Sequence, residues 1–197
     1  MSTLKKIKGI DFIFIPSFKD IYETKRKSKI KIAERDKILC AKFRKGHFEG
    51  VLDVMDRLTN LIRPKKIFMG KKDFQQLFLV KNFIEKKYQT KVIGCKTIRD
   101  KNKLALSSRN LLFNKDDLKI AGNITKKFFL VKKRIKKHKN INKFLLKTKK
   151  NMQKMFKIKI EYLELRNENN LIISNRFKES KLFVAFYLKG IRLIDNF

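Results

Sequence analysis

Two polar clusters between Ile67 and Asn110 carry side chains able to handle a phosphorylated ligand. In Gly70-Lys71-Lys72-Asp73-Phe74-Gln75-Gln76, Lys72 falls just past an apolar run, Asp73 at a helix start and Gln76 one turn further on. That spacing aims a cation, a carboxylate and an amide at one crevice: Lys for phosphate charge, Asp for ribose hydroxyls, Gln for a polar substrate. A capped helix with a solvated lysine accounts for the same residues. In the second cluster, Ser107-Ser108-Arg109-Asn110, two hydroxyls and a guanidinium could hold phosphate oxygens on a movable loop. An ordinary capping turn explains them at least as readily. His47, between Gly46 and Phe48 at a helix start, either hydrogen-bonds a phosphate or packs at the helix entry. His138 sits among lysines and reads as solvated.

The elements around these clusters follow from apolar periodicity. Asp11 to Ser17 is a continuous apolar run closed by Pro16, the pattern of a strand buried on both faces of a parallel sheet. Glu23 to Lys37 is charge-rich and predicts a mobile surface excursion. Val51, Val54, Met55, Leu58, Leu61 and Ile62 have the spacing of one helix face, ended by Pro64. Lys66 to Gly70 predicts a buried strand, Asp73 the cap of a helix carrying Phe74, Leu77, Phe78 and Ile84, and Lys91 to Gly94 the next strand. This alternation marks a parallel α/β layer. After Asn110 come lysine-rich helical patterns over 116–138 and 142–156. Alternating segments over 158–165 and 182–188 then predict a small, more antiparallel sheet. Arg99-Asp100-Lys101-Asn102-Lys103 reads as a polar linker, which puts one unit over residues 1–98 and a second over 99–197.

With 197 residues and 43% hydrophobic content, the chain can bury a proper core. Its net charge of +34 is spread from Lys5 to Lys189 alongside abundant Ile, Asn and Phe, which reads as compositional drift rather than a built nucleic-acid surface. Cys40 and Cys95 lack the spacing of a disulfide or zinc framework, so reduced thiols and a cytoplasmic location are expected. The start of the chain does not read as a signal peptide, and no apolar stretch predicts a membrane span.

Together, Phe43-Arg44-Lys45-Gly46-His47-Phe48-Glu49-Gly50-Val51 and the two clusters (from Leu104 in the second) resemble, in order and separation, the pantothenate synthetase (pantoate–β-alanine ligase) family. The closing Arg192-Leu193-Ile194-Asp195-Asn196 resembles that family's C-terminus. The resemblance implies an incomplete Rossmann-like parallel layer over 1–98, followed by an α+β lid domain over 99–197. It implies an ATP-dependent ligase that joins pantoate to β-alanine through a pantoyl adenylate, releasing diphosphate and AMP, with magnesium accompanying ATP and no metal held by the protein alone. Lys72 would hold ATP phosphate, Asp73 the ribose and Gln76 the pantoate. Ser107, Ser108 and Arg109 would form a phosphate-gripping catalytic loop together with Lys72, similar to the KMSKS-type loop of related enzymes. His47 would contribute to ATP binding, and Arg44 would lie near the active site. A homodimer is a further implication.

The resemblance also implies features this sequence does not show: a Pro-Thr-Met-Gly turn, a His-x-Gly-His motif and a second pantoate-binding glutamine. Lys71 stands where the family has an acidic residue. The expectation is a chain shortened relative to the family, with an exposed sheet edge and apolar face. Its activity alone would be low, since losing one preorganised donor costs about a hundredfold to a thousandfold in rate. Three explanations fit: a truncated or mis-started reading of a longer gene, a split gene whose separate N-terminal fragment completes it, or a decaying copy. The alternatives are a basic nucleic-acid-binding protein or a non-catalytic complementing fragment.

Overall fold

A computed structural model describes residues 7–22 and 29–197. The readings made on Met1 to Ser17 and Glu23 to Lys37 therefore fall partly outside the described residues. Among the described residues two short α-helices come first: α1 (Phe18–Ile21), closed by a reciprocal Ser17–Asp20 capping box, and α2 (Leu39–Phe43). Helix α3 (His47–Ile62) starts at Gly46, whose φ of 76° suits glycine, and stops at Arg63 ahead of Pro64. Strand β1 (Lys66–Gly70) runs through a 3-10 turn (Lys71–Asp73) into α4 (Phe74–Lys87), which returns the chain to β2 (Lys91–Cys95). A loop and a second 3-10 turn (Ser108–Leu112) lead to α5 (Lys115–Ile135) and α6 (Ile141–Phe156), capped by Asn114 and Asn140. Strands β3 (Lys159–Asn167), β4 (Ser180–Leu188) and β5 (Ile191–Asn196) close the chain.

The fold is mixed α/β, as expected: β1 and β2 pair in parallel, Lys66 opposite Lys91, and β3-β4-β5 form an antiparallel sheet. That second sheet is covered on both faces. Leu182, Val184, Phe186 and Leu193 face a core with Ile124, Phe128 and Ile135 of α5. Phe183 and Ala185 face another with Leu77, Val80 and Ile84 of α4 and Val92 of β2. Along β4 the two cores alternate residue by residue, as strand geometry requires. In β3 the register skips between Ile160 and Tyr162, so Glu161 is the extra residue of a bulge. The skip turns Tyr162 towards the α4 core while Ile160 and Leu163 both stay on the α5 side.

Three expectations are corrected. Residues 11–17 form no strand, and Phe12 is 93% exposed. No described strand lies beside this run to pair its backbone, and an apolar run becomes a sheet strand only when a neighbour satisfies its N–H and C=O groups. Strand β1 is half-open rather than buried, with Phe68 64% exposed, because among the described residues β2 alone pairs with it. On α3 the buried face is Phe48, Leu52, Asp53 and Thr59, while Leu61 and Ile62 at the helix end are exposed. Among the described residues no helix is long and apolar enough to cross a membrane.

Helix α5 and the 99–104 segment meet at Gly122. A Cβ there would lie 2.5 Å from the Asn102 Cβ and 3.2 Å from its carbonyl oxygen. Alanine normally stabilises a helix interior relative to glycine. Here the clash with the Asn102 Cβ, which cannot move without its backbone, reverses the sign, and Gly122→Ala is expected to lower stability by about 1–3 kcal/mol in urea denaturation.

Candidate active site

The turn Arg44–His47 before α3, the 3-10 turn after β1 and the end of β5 face one another. Arg44, His47, Lys72, Asp73 and Gln76 line a cleft there together with Asp195 and Asn196. A second cleft beside it is lined by Lys72, Ser107, Arg109, Asn110, Thr125 and Asp195. Lys72 and Asp195 belong to both, so one ammonium serves two adjoining spaces. Ser108 is exposed and lines neither.

Local structure explains the orientation of these groups. Asp73 occupies the N-cap position of α4 but makes no capping hydrogen bond; its half-exposed carboxylate lies 3.6 Å from the Lys72 ammonium. The neighbouring Gln75 is buried and fully used: its Oε1 accepts from Cys40 N–H (3.0 Å), and its Nε2 donates to the carbonyls of Ile38 (2.8 Å) and Asp36 (3.1 Å). It pins α2 to α4 and leaves Gln76, one residue on, facing the cleft. Ser107 caps its 3-10 turn by accepting from Arg109 N–H at 3.3 Å. The Arg109 guanidinium donates to the Arg192 carbonyl at 2.7 Å, so the loop expected to be movable is tied to β5.

Strand β5 gathers the rest. Asp195 accepts a two-pronged bond from Arg99 (2.6 and 2.8 Å), whose Nη2 also reaches the Asn196 carbonyl (3.2 Å). Asn196 Nδ2 donates to the carbonyls of Lys71 (2.9 Å) and Lys72 (2.8 Å). Arg192 donates through Nε (2.9 Å) and Nη2 (2.7 Å) to Glu161, which also accepts from the Tyr187 hydroxyl (2.8 Å). The bulge at Glu161 thus supplies the carboxylate that fixes Arg192. Beneath it Cys40 Sγ lies 3.2 Å from the Tyr162 hydroxyl.

The cleft is cationic. Burial pushes His47 below its ordinary value, Arg44 pushes further, and Arg109 and Arg192 add to this against the opposing pull of Asp73. Burial raises Asp195 above the usual carboxylate range, although Arg99 and Lys72 oppose it. Burial also pushes Glu161 up, but its bonds from Arg192 and Tyr187 outweigh that and hold it below the usual range.

Gln75, Arg99, Glu161, Asp195 and Asn196 escape identification as site residues from the sequence. Gln75 has a local signal, a polar side chain four residues before the buried Leu79 on the core face of α4. Arg99 reads as part of a polar linker, yet its side chain is only 17% exposed because it pairs with a carboxylate 96 residues away in sequence. Among the described residues no group of three or more His, Cys, Asp or Glu side chains could hold a metal. The cleft does not fit a resident magnesium ion, although magnesium commonly binds through substrate phosphates with one or two carboxylates.

The sequence profile of the Pantoate-beta-alanine ligase family matches residues 1–197, and the chain belongs to that family. It is 34% identical over 193 residues to a pantothenate synthetase of Sulfurihydrogenibium sp. (strain YO3AOP1), covering 95% of this chain and 69% of that protein. The fold is similar to crystalline pantothenate synthetase from Thermus thermophilus, with a TM-score of 0.88 at 24% identity over all of this chain and 72% of that one. It is also similar to a pantoate-beta-alanine ligase from Francisella tularensis crystallised with beta-gamma ATP and β-alanine. There the TM-score is 0.64 at 30% identity, over 85% of this chain and 56% of that one.

Two outcomes follow from the geometry. Arg99→Ala strands Asp195 without its partner, and the expected cost in chemical denaturation is about 3 kcal/mol. His47 should titrate below its ordinary value of 6.5 by NMR of its imidazole protons, and Arg44→Ala should raise the midpoint. Because the folded value is depressed, His47 costs stability as pH falls from that ordinary value through the folded midpoint, and nothing above it. A midpoint at or above 6.5 in the intact protein would contradict the cationic cleft.

Proposed function

We propose that this chain takes part in the ATP-dependent condensation of pantoate with β-alanine, through a pantoyl adenylate. The observation that carries this is the placement of Lys72 in the shared wall of two clefts. Ser107 and Arg109 lie on one side, and Asp73, Gln76 and His47 on the other. One space offers cationic and hydroxyl donors to phosphate oxygens, and the other a carboxylate for ribose hydroxyls and an amide for pantoate. Family membership supports the reading, as does the likeness to the Francisella tularensis ligase bound to beta-gamma ATP and β-alanine.

In the first step a pantoate carboxylate oxygen attacks the α-phosphorus of ATP, and the bond to the bridging oxygen breaks as diphosphate leaves. In the second the β-alanine amine attacks the acyl carbon, the bond to AMP breaks, and the amine loses a proton as the amide forms. Lys72 and Arg109 stabilise charge on the phosphoryl oxygens during transfer, with Ser107 as the hydroxyl donor and Ser108 on the exposed side of the same turn. Asp73 orients the ribose, Gln76 the pantoate, and a neutral His47 donates to phosphate with Arg44 behind it. Magnesium would be carried by the ATP phosphates and would neutralise part of their charge. We place the reaction in the cytoplasm, with residues 1–98 as the nucleotide-binding unit and 99–197 as the lid.

A single-turnover experiment tests the reaction. With protein in excess over labelled ATP, pantoate-dependent release of diphosphate is expected, and carboxyl-18O pantoate should place its label in AMP once β-alanine is added. ADP as product, AMP without label, or no pantoate-dependent diphosphate would overturn the proposal. Lys72→Ala is expected to weaken ATP binding by about tenfold, roughly 1.4 kcal/mol, in a calorimetric titration.

A further inference from the structure

We propose that Asn196 is a positioning residue for Lys72, a role that rests on the ATP-binding function assigned above. Its Nδ2 group donates to two consecutive carbonyls, Lys71 at 2.9 Å and Lys72 at 2.8 Å. Each of the two amide protons takes one carbonyl, which neither an aspartate nor a single hydroxyl can do. The carbonyls converge because residues 71–73 form a 3-10 turn. This clamp acts on the backbone that aims the Lys72 ammonium, whose side chain is 19% exposed and lies in the wall of both clefts.

Asn196 is itself immobilised. It is 6% exposed, its N–H donates to Asp195 Oδ1 at 2.8 Å, and its carbonyl accepts from Arg99 at 3.2 Å. Arg99 also holds Asp195 by two bonds, so the amide that grips the turn is fixed by an ion pair whose carboxylate is its neighbour on β5 and whose guanidinium comes from the loop after β2. Asn196 touches Lys72 only through the backbone carbonyl, so it acts on the ligand through the direction in which Lys72 points. Two residues earlier in the strand, Ile194 joins Lys72 in both cleft linings, and Arg192 holds Arg109 by its carbonyl. The position of the lysine relative to the arginine is therefore set along a single strand.

The test is a double-mutant cycle on ATP affinity by calorimetry, with exchange of the Asp73 and Phe74 amides as a second readout. Asn196→Ala should weaken ATP binding about threefold to fivefold, short of the roughly tenfold loss expected for Lys72→Ala, because the lysine is misdirected rather than removed. In a Lys72→Ala background the same change should cost less than about twofold, because the group it positions is gone. Asn196→Ser, which keeps one donor, should fall between and guards against failure of the alanine variant to fold. Equal losses in both backgrounds would show general loosening and overturn the proposal. If the unaltered chain binds no ATP, the functional assignment fails, and the clamp is judged by amide exchange alone: no faster exchange at Asp73 and Phe74 in either variant overturns it.

Discussion

The pairing of Arg99 with Asp195 is the joint on which the site depends. A buried carboxylate is tolerable only when its charge is met by well-aligned donors, and the guanidinium fork meets it with two bonds of 2.6 and 2.8 Å. Because Asp195 is on β5 and Arg99 begins the segment leading to Ser107, the pair brings the Ser107–Arg109 loop to the strand. The next residue, Asn196, reaches the Lys71–Asp73 turn, and three residues before Asp195 the Arg192 carbonyl holds Arg109. Two polar segments, Lys71–Asp73 and the stretch from Arg99 to Arg109, are thereby held together by one short strand.

That strand is in turn held by the sheet it closes. The antiparallel sheet is covered on both faces, by α5 on one side and by α4 and β2 on the other, so β5 cannot shift without disturbing both cores. The bulge at Glu161 is where the packing pattern gives way to the site: it sends one carboxylate to Arg192 and Tyr187 and turns Tyr162 towards Cys40. The cationic field in the cleft follows from this assembly. Arg44, Arg109 and Arg192 come from three separate segments, yet all act on His47. A polyanion entering between them would relieve their mutual repulsion.

The sequence makes the local features readable and hides those fixed by distant partners. Lys72 and Asp73 are visible because a strand end followed by a helix start is a local pattern, and α4, α5 and α6 are visible from their periodicity. Residues 11–17 show the limit of such reading: their apolar run is real, but strand formation needs a pairing partner, and the described fold supplies none. Strand β5 escapes the periodicity although a signal is present. Lys189 and Gly190, both with positive φ, form a two-residue hairpin loop between apolar runs. Arg99 and Asp195 cannot be matched from composition, since nothing local marks two charges 96 positions apart as partners.

The most direct measurement is a crystal structure of the chain with a non-hydrolysable ATP analogue. The account predicts phosphates bridging the Lys72 ammonium and the Arg109 guanidinium, with a Ser107 hydroxyl bond, and the ribose hydroxyls on the Asp73 carboxylate. An analogue bound away from Lys72, or one held by Lys72 while Arg109 keeps to β5 and leaves the phosphates untouched, would contradict it.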